Sequence, residues 1–426
     1  MPSGQHSAFG SPFLIGLGLP FSEFFFAEGS SPVGQWLVLA AFAGLVALHW
    51  RQELLGAHFG QILLGLAGWY LICAAFSVRP LDSLRCGCTW ILPMLAGYLM
   101  VLGGNERRAR FSHLALGLVL GSLFLLGWHF FLSPGQGKAG IRPFFSDANV
   151  FSAFLNLLWP ALLLGQREAN WWWGARWLLV AVILLGLLYG NSRGAWVGLI
   201  GGGIAGLMVG QNTLRRRLRL GIGLVATGLI AFVLLRQYYT YRPQLPQPLP
   251  YVLSTADTQT DFSNRERLMR WTCAGRMWRA HPITGNGPGT FAPDFKQYLR
   301  DESEIKRISY WFGWKGGAHS VGLTALAETG LPGPLGLMAL MLVALGGHAY
   351  IFRKKFLAET PPSRQKEKYV ISLLAVIALS TWIVHGLFDD LLYRPPIAAL
   401  LGMWAAINAP PTAHPSGPPP LADPPD

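Results

Sequence analysis

The sequence predicts an all-α polytopic membrane protein of about twelve transmembrane helices, with one large, partly helical loop on the outer side. Three observations predict it. Of the 426 residues, 52% are hydrophobic and only 13% charged, whereas a soluble chain carries about 25% charged residues. Apolar stretches of roughly 17 to 22 residues recur along the chain, the helical length that crosses about 30 Å of hydrocarbon. The alternating apolar–polar pattern of a barrel is absent, which leaves helices as the spanning backbone that satisfies its own polar groups.

The apolar segments fall at 11–27, 34–50, 60–78, 86–103, 111–132, 148–165, 174–190, 194–210, 219–235, 320–352, 369–388 and 392–408. Pro20 and Glu23 interrupt the first. The tenth is long and holds Pro332 and Pro334, which predict a short re-entrant or broken piece followed by a full helix. Four parts result: helices 1–9 within residues 1–235, the loop 236–318, helices 10–12 within 319–409, and a tail 410–426. That tail is dominated by proline and is expected to be disordered and cytoplasmic. No basic stretch precedes the first apolar segment, so a cleaved signal peptide is not expected. No internal repeat is visible, which argues against a transporter built from repeated halves.

The formal net charge of +13 is largely a matter of topology. With the N-terminus inside, the inner loops hold Arg51, the Arg107–Arg110 cluster, Arg167, the Arg215–Arg219 cluster and the basic run from Arg353 to Lys368. The short outer connections carry few basic residues, among them Arg79, Arg85, Lys138, Arg142 and Arg394. This bias places loop 236–318, Arg193 and His319 on the outer side, the periplasm in a bacterium. The four cysteines, Cys73, Cys86, Cys88 and Cys273, read as ordinary small apolar residues; Cys86 and Cys88 are too close to staple a loop and have no metal-ligand partners nearby.

Within the outer loop, Tyr241 to Tyr251 is proline-rich and extended. From Asn264 to Ala280 the pattern turns helical, with Leu268, Trp271, Cys273, Met277 and Trp278 at near-helical spacing and arginines between them; Pro282 ends that helix. Gly285, Gly287 and Gly289 permit a tight loop with exposed backbone N–H groups. A second short helix is expected from Pro293 to Leu299. Between Arg236 and Lys315 there are 12 Lys or Arg against 7 Asp or Glu, so the loop forms a positive cap suited to an anionic lipid.

Several residues carry candidate chemistry, each with a plainer alternative. Arg193, in Asn-Ser-Arg-Gly at the mouth of the eighth span, is costly there unless it meets an anion or water; the alternative is snorkelling to headgroups. The loop arginines match phosphate oxygens bidentately; the alternative is a solvated helix face with intrahelical ion pairs. His319, where the loop re-enters the membrane, can accept a proton from a sugar hydroxyl; the alternative is a hydrogen-bonded histidine at a helix start. His281, beside Pro282, suits a turn. His385, Asp389 and Asp390 are a weakly specified cation site. Asn149 suits a helix cap, and Arg142 is a candidate for the same anion site as Arg193. The GNGPG run lacks the Lys-Ser/Thr ending of a P-loop.

NSRGAW (Asn191–Trp196), RLMRW (Arg267–Trp271) leading to HPITGNGPGTF (His281–Phe291), and AHSVGLTALAETGLPG (Ala318–Gly333) together resemble the O-antigen ligase and polymerase superfamily of bacterial inner membranes. The resemblance covers roughly residues 140 to 400. It implies a GT-C-like glycosyltransferase architecture and metal-independent transfer, with inversion, from an undecaprenyl-diphosphate-linked glycan; no cofactor is implied. The family's arginines correspond to Arg193 and to Arg267, with Arg265 the nearby rival, and its histidine to His319; Ser320 departs from the asparagine often found next. A ligase is favoured, with lipid A–core as acceptor, because a second sizeable outer loop and a soluble C-terminal part are lacking. The alternatives are a polymerase of the same superfamily and a non-enzymatic lipid-linked glycan transporter. The site residues so implied are Arg193, Arg267 and His319 for catalysis and Arg265, Arg142, Gly285 and Gly287 for substrate binding, with no metal.

Overall fold

The computed structural model describes residues 7–26, 31–50, 57–102, 107–132, 148–163, 177–184, 192–211, 262–299, 316–353 and 363–407, with a few isolated positions near 54, 187 and 213–223. Arg142, Lys138, most of segment 219–235, loop residues 236–261 and 300–315, and the tail 410–426 lie outside the described residues. All regular structure among the described residues is helical. In chain order the helices are α1 Ser7–Gly18, α2 Pro32–Leu48, α3 His58–Ala75, α4 Pro80–Leu102, α5 Arg107–Leu132, α6 Ala148–Leu162, α7 Arg193–Val209, α8 Phe262–Ala280, α9 Val321–Thr329, α10 Pro332–Phe352, α11 Ser363–Gly386 and α12 Pro395–Ala406. Four of them, α2, α4, α10 and α12, open on proline, whose missing N–H is one the first turn never uses.

Of the twelve apolar segments, four carry helices long and apolar enough to cross a membrane: His58–Ala75, Pro80–Leu102, Pro332–Phe352 and Tyr369–Gly386. Six more hold apolar helices of 10–17 residues, and the other two are only partly described. The tenth segment is broken as expected: α9 stops at Gly330, whose φ is +65°, and α10 starts two residues later at Pro332. The apolar window of α4 is 72% buried and that of α10 only 33%, so α4 is central and α10 peripheral.

Close packing depends on small residues, as expected where lipid removes the hydrophobic drive between helices. At the α4–α12 contact, a Cβ on Gly97 would lie 2.1 Å from the Ala399 carbonyl oxygen, and one on Gly402 would lie 2.0 Å from that of Met94. Along α7, Gly194, Gly198, Gly202 and Gly206 recur every four residues on one face. Cβ atoms on the last three would meet Thr381 or Ile377 of α11 within 2.8 Å. This stripe seats α7 directly on α11 and so fixes where Arg193 begins.

The loop helix α8 packs on α9 around a small core of its own: Cys273, Ala274, Met277, Phe291, Phe295, Ala318 and Ala327. Its buried stripe also takes in Glu266 and Arg270, while Leu268, expected on that stripe, is 43% exposed. The charged pair belongs to the packed face because each member neutralises the other. The short helix expected at 293–299 begins slightly earlier, as an α turn at Phe291–Asp294 continued by a 3₁₀ turn at Phe295–Tyr298.

Candidate active site

The site gathers where three helix ends and the returning loop meet. The α7 end comes first. Ser192 caps the helix, its hydroxyl accepting from the Ala195 N–H at 3.2 Å, and Arg193 is the first helical residue, buried at 8% exposure. The next residue, Gly194, lies against the end of α11: a Cβ there would be 2.6 Å from Asp389 Oδ2 and 2.8 Å from the His385 ring. The positive end of the α7 dipole therefore faces a carboxylate.

Asp389 is the node. Asn149 Nδ2, in the first turn of α6, donates to its Oδ1 at 2.9 Å, and His385 Nε2 lies 3.1 Å from its Oδ2. Arg267 Nη2 stands 4.0 Å and His319 Nδ1 3.9 Å from Oδ1. On its other side, His319 Nε2 is 3.8 Å from Glu266 Oε1. The imidazole thus sits between two carboxylates, beyond direct hydrogen-bond length. Burial opposes ionisation of Glu266, but the neighbouring His319 and the Arg270 guanidinium outweigh it and hold the carboxyl below its ordinary range.

Arg270 secures the strand that delivers His319. Its side chain is 1% exposed, with Nε donating to Glu266 at 2.8 Å. Nη1 donates to the carbonyls of Gly316 at 3.3 Å and Gly317 at 3.1 Å, and the guanidinium lies over the Phe295 ring, 5.1 Å from its centroid. His319 itself has φ +52°, the one non-glycine residue with positive φ among those described, a conformation that neighbouring contacts must hold. Asp389, Glu266 and Arg270 are sealed, whereas His319 is 24% and Arg267 16% exposed. Those two are the more exposed members of the cluster. The Arg267 Nε is buried, and no described residue accepts from it, as expected of a donor aimed at a ligand.

The implied residues thus separate. Arg267 and His319 share one carboxylate oxygen, and the start of α7, which carries Arg193, lies against the same Asp389 through Gly194. Arg265 is half-buried on α8, two residues from Arg267 and therefore on a different side of the helix. Arg142 lies outside the described residues. Gly285 and Gly287, with φ +63° and +108°, belong to a different contact. Their N–H groups go to the carbonyls of His281 and Glu328, and a Cβ on Gly285 would lie 2.2 Å from the Glu328 backbone. The Glu328 carboxylate accepts from the N–H groups of Gly289 at 2.8 Å and Phe291 at 2.9 Å, and from the Tyr393 hydroxyl. The glycine run is thereby lashed to the α9–α10 break, and these N–H groups are spent within the protein. His385, Asp389 and Asp390 do not converge: the first two pair with each other, while Asp390 lies against Gly317 and Thr324.

Sequence reasoning missed Asp389 as the shared anchor, and Glu266 and Arg270 as the clamp. The spacing of Glu266 and Arg270, opposite charges four apart in register with Cys273 and Met277, was the available signal for the clamp.

The fold and this cluster define a helical membrane protein with an arginine–histidine–carboxylate centre at its helix ends. Residues 178–338, which include Arg193, Arg267 and His319, match the family model described as O-antigen ligase, which supports the O-antigen ligase superfamily for this part of the chain. None of the curated proteins compared with the chain matches it.

Proposed function

We propose that this protein is an O-antigen ligase, a periplasm-facing, twelve-span inner-membrane enzyme of GT-C-like architecture. It moves O-antigen from undecaprenyl diphosphate to lipid A–core. The observation that supports this reading is the meeting of Arg267 and His319 on Asp389 Oδ1 at the mouth of the helix that begins with Arg193. In this mechanism Arg193 and Arg267, with Arg142 and Arg265 as further candidates, hold the diphosphate. The acceptor oxygen attacks the anomeric carbon from the face opposite the phosphate. The C–O bond breaks, its electron pair leaves with the diphosphate, and the acceptor proton passes to a His319 ring nitrogen. Charge grows on the leaving phosphate as the bond breaks, so fixed guanidinium groups stabilise the transition state more than the ground state. A carboxylate beside each ring nitrogen accommodates the transient imidazolium.

The test is transfer in detergent from a lipid-diphosphate glycan to lipid A–core, with no gradient. Arg193→Ala, Arg267→Ala and His319→Ala should each lose on the order of 100-fold or more while still inserting, and EDTA should leave the wild type unaffected. Full transfer by Arg193→Ala and His319→Ala overturns the mechanism. In a deletion strain, bare core with carrier-linked polymer supports a ligase; core bearing a single repeat unit identifies a polymerase instead.

A further inference from the structure

A cavity of about 370 Å³ adjoins the returning segment at Gly316 and Gly317. Its lining includes Gly316, Gly317 and Asp390 but not Arg193, Arg267, His319 or Asp389. Three arginines contribute to it, Arg79, Arg85 and Arg394. These are three of the five basic residues singled out in the short connections that the charge bias otherwise keeps poor in positive charge. They come from two connections distant in sequence, around residues 79–85 and 394, and the fold brings them together.

The remaining wall is made for hydroxyl groups. Thr89, Thr290, Thr324 and Tyr393 line it, with Phe26 supplying an aromatic surface. Its lining also holds three acids, Asp82, Glu328 and Asp390. The Glu328 carboxylate is occupied by two backbone N–H groups and the Tyr393 hydroxyl. Burial raises the Asp390 carboxyl above its ordinary range, against the opposing pull of His319 and Arg394. Arg79 stands 3.7 Å from Asp294, too far for a hydrogen bond, and is half exposed; Arg85 uses one nitrogen on the exposed Asp82. A guanidinium has five donors, so both keep capacity toward the cavity.

We propose that this cavity binds an anionic saccharide, the phosphate- or carboxylate-bearing sugar of the acceptor. The inference rests on the ligase reading for the word acceptor, though not for the ligand's chemistry. Floor residues Gly316 and Gly317 are the last steps before Ala318 and His319. A sugar seated against them lies within three residues of His319 along the chain. Gly317 is required for this wall to close, because a Cβ there would lie 1.6 Å from Asp390 Oδ2.

The experiment uses the full chain in detergent and ligand-observed NMR with glucose 6-phosphate, glucose and inorganic phosphate as probes. Glucose 6-phosphate should bind at least about tenfold more tightly than glucose, since each charge-assisted hydrogen bond contributes more than one factor of ten, and more tightly than inorganic phosphate through sugar contacts with Thr89, Thr290, Thr324 and Tyr393. Arg79→Gln/Arg85→Gln should lose that margin, and Arg193→Ala should retain it. Arg85→Gln alone, at an exposed pair, gives a partial loss and serves if the double variant fails to fold. In the transfer assay the double variant should raise the acceptor KM about tenfold at unchanged donor KM. Equal binding of glucose and glucose 6-phosphate, binding insensitive to the arginine changes, or a shift in donor KM instead would overturn the assignment. A wild-type protein that binds the sugar phosphate but transfers nothing would sink the ligase reading and leave the anionic-saccharide site standing.

Discussion

Replacing Arg270 by methionine tests the idea that a buried cation sets the position of His319. Methionine fills similar volume without charge. The change strips the partner from a Glu266 side chain that is only 4% exposed, and an uncompensated buried charge of this kind costs about 3–5 kcal/mol. It also removes the donations to the Gly316 and Gly317 carbonyls, each worth about 1.5–3 kcal/mol when the donor is charged. These contributions overlap and do not add. What they offset is the cost of the left-handed conformation of His319 at φ +52°, roughly 1–2 kcal/mol for a residue with a side chain. Without Arg270 the strand relaxes, and a displacement of about 1 Å at a reacting group lowers the rate about 100-fold. Single-turnover transfer should therefore fall by that order with donor affinity little changed, and the thermal transition in detergent should drop. Adding Glu266→Gln to Arg270→Met should recover part of the thermal loss, because the orphaned charge is then gone, while the rate stays low. Wild-type turnover in Arg270→Met, or a double variant less stable than the single, would refute this account.

Three further outcomes follow from the same geometry. Glu266 has its folded-state pKa depressed, so its contribution to stability is present above its unfolded value of about 4.3 and is lost as pH falls through the lower folded value; the gap in thermal stability between wild type and Glu266→Gln should shrink on acidification through that window. Gly202→Val should push α7 off α11, since a Cβ there meets Thr381 Oγ1 at 2.0 Å, costing about 1–3 kcal/mol and most of the activity without altering any polar residue; Gly203→Ala, with nothing within 4 Å, should be silent in the same transfer assay. Gly285→Ala combines positive φ with a collision against the Glu328 backbone and should lower the thermal transition by more than about 2 kcal/mol's worth, whereas Gly275→Ala, in open space on α8, should stabilise by up to about 1 kcal/mol.

Much of the architecture was legible in the sequence because hydropathy and proline act locally. The break at Pro332 and the helix ending near Pro282 both depend on residues within a turn of the event. Arg193, Arg267 and His319 stood out as polar residues at helix mouths or in a polar loop. Asp389 did not, because Asn149, which donates to it, lies 240 residues away in sequence and adjacent acids looked like a cation site. Arg270 was misread for a different reason. Charged residues on a loop helix are usually solvated, and only packing against Phe295 and the returning strand turns this one inward. The glycines of HPITGNGPGTF pointed to exposed N–H groups, yet Glu328 and the α9–α10 break take them up. Two of the stretches that carry the resemblance thus bind each other.

That mutual grip has a bearing on biogenesis. The ribosome makes α8 and the glycine run before Glu328, and Asp389 and Tyr393 emerge later still. Asp389, the carboxylate that Arg267 and His319 share, therefore arrives only after α11. Until Asp389 and Tyr393 have been made, Arg267 and His319 lack the carboxylate they share and Glu328 lacks its hydroxyl donor.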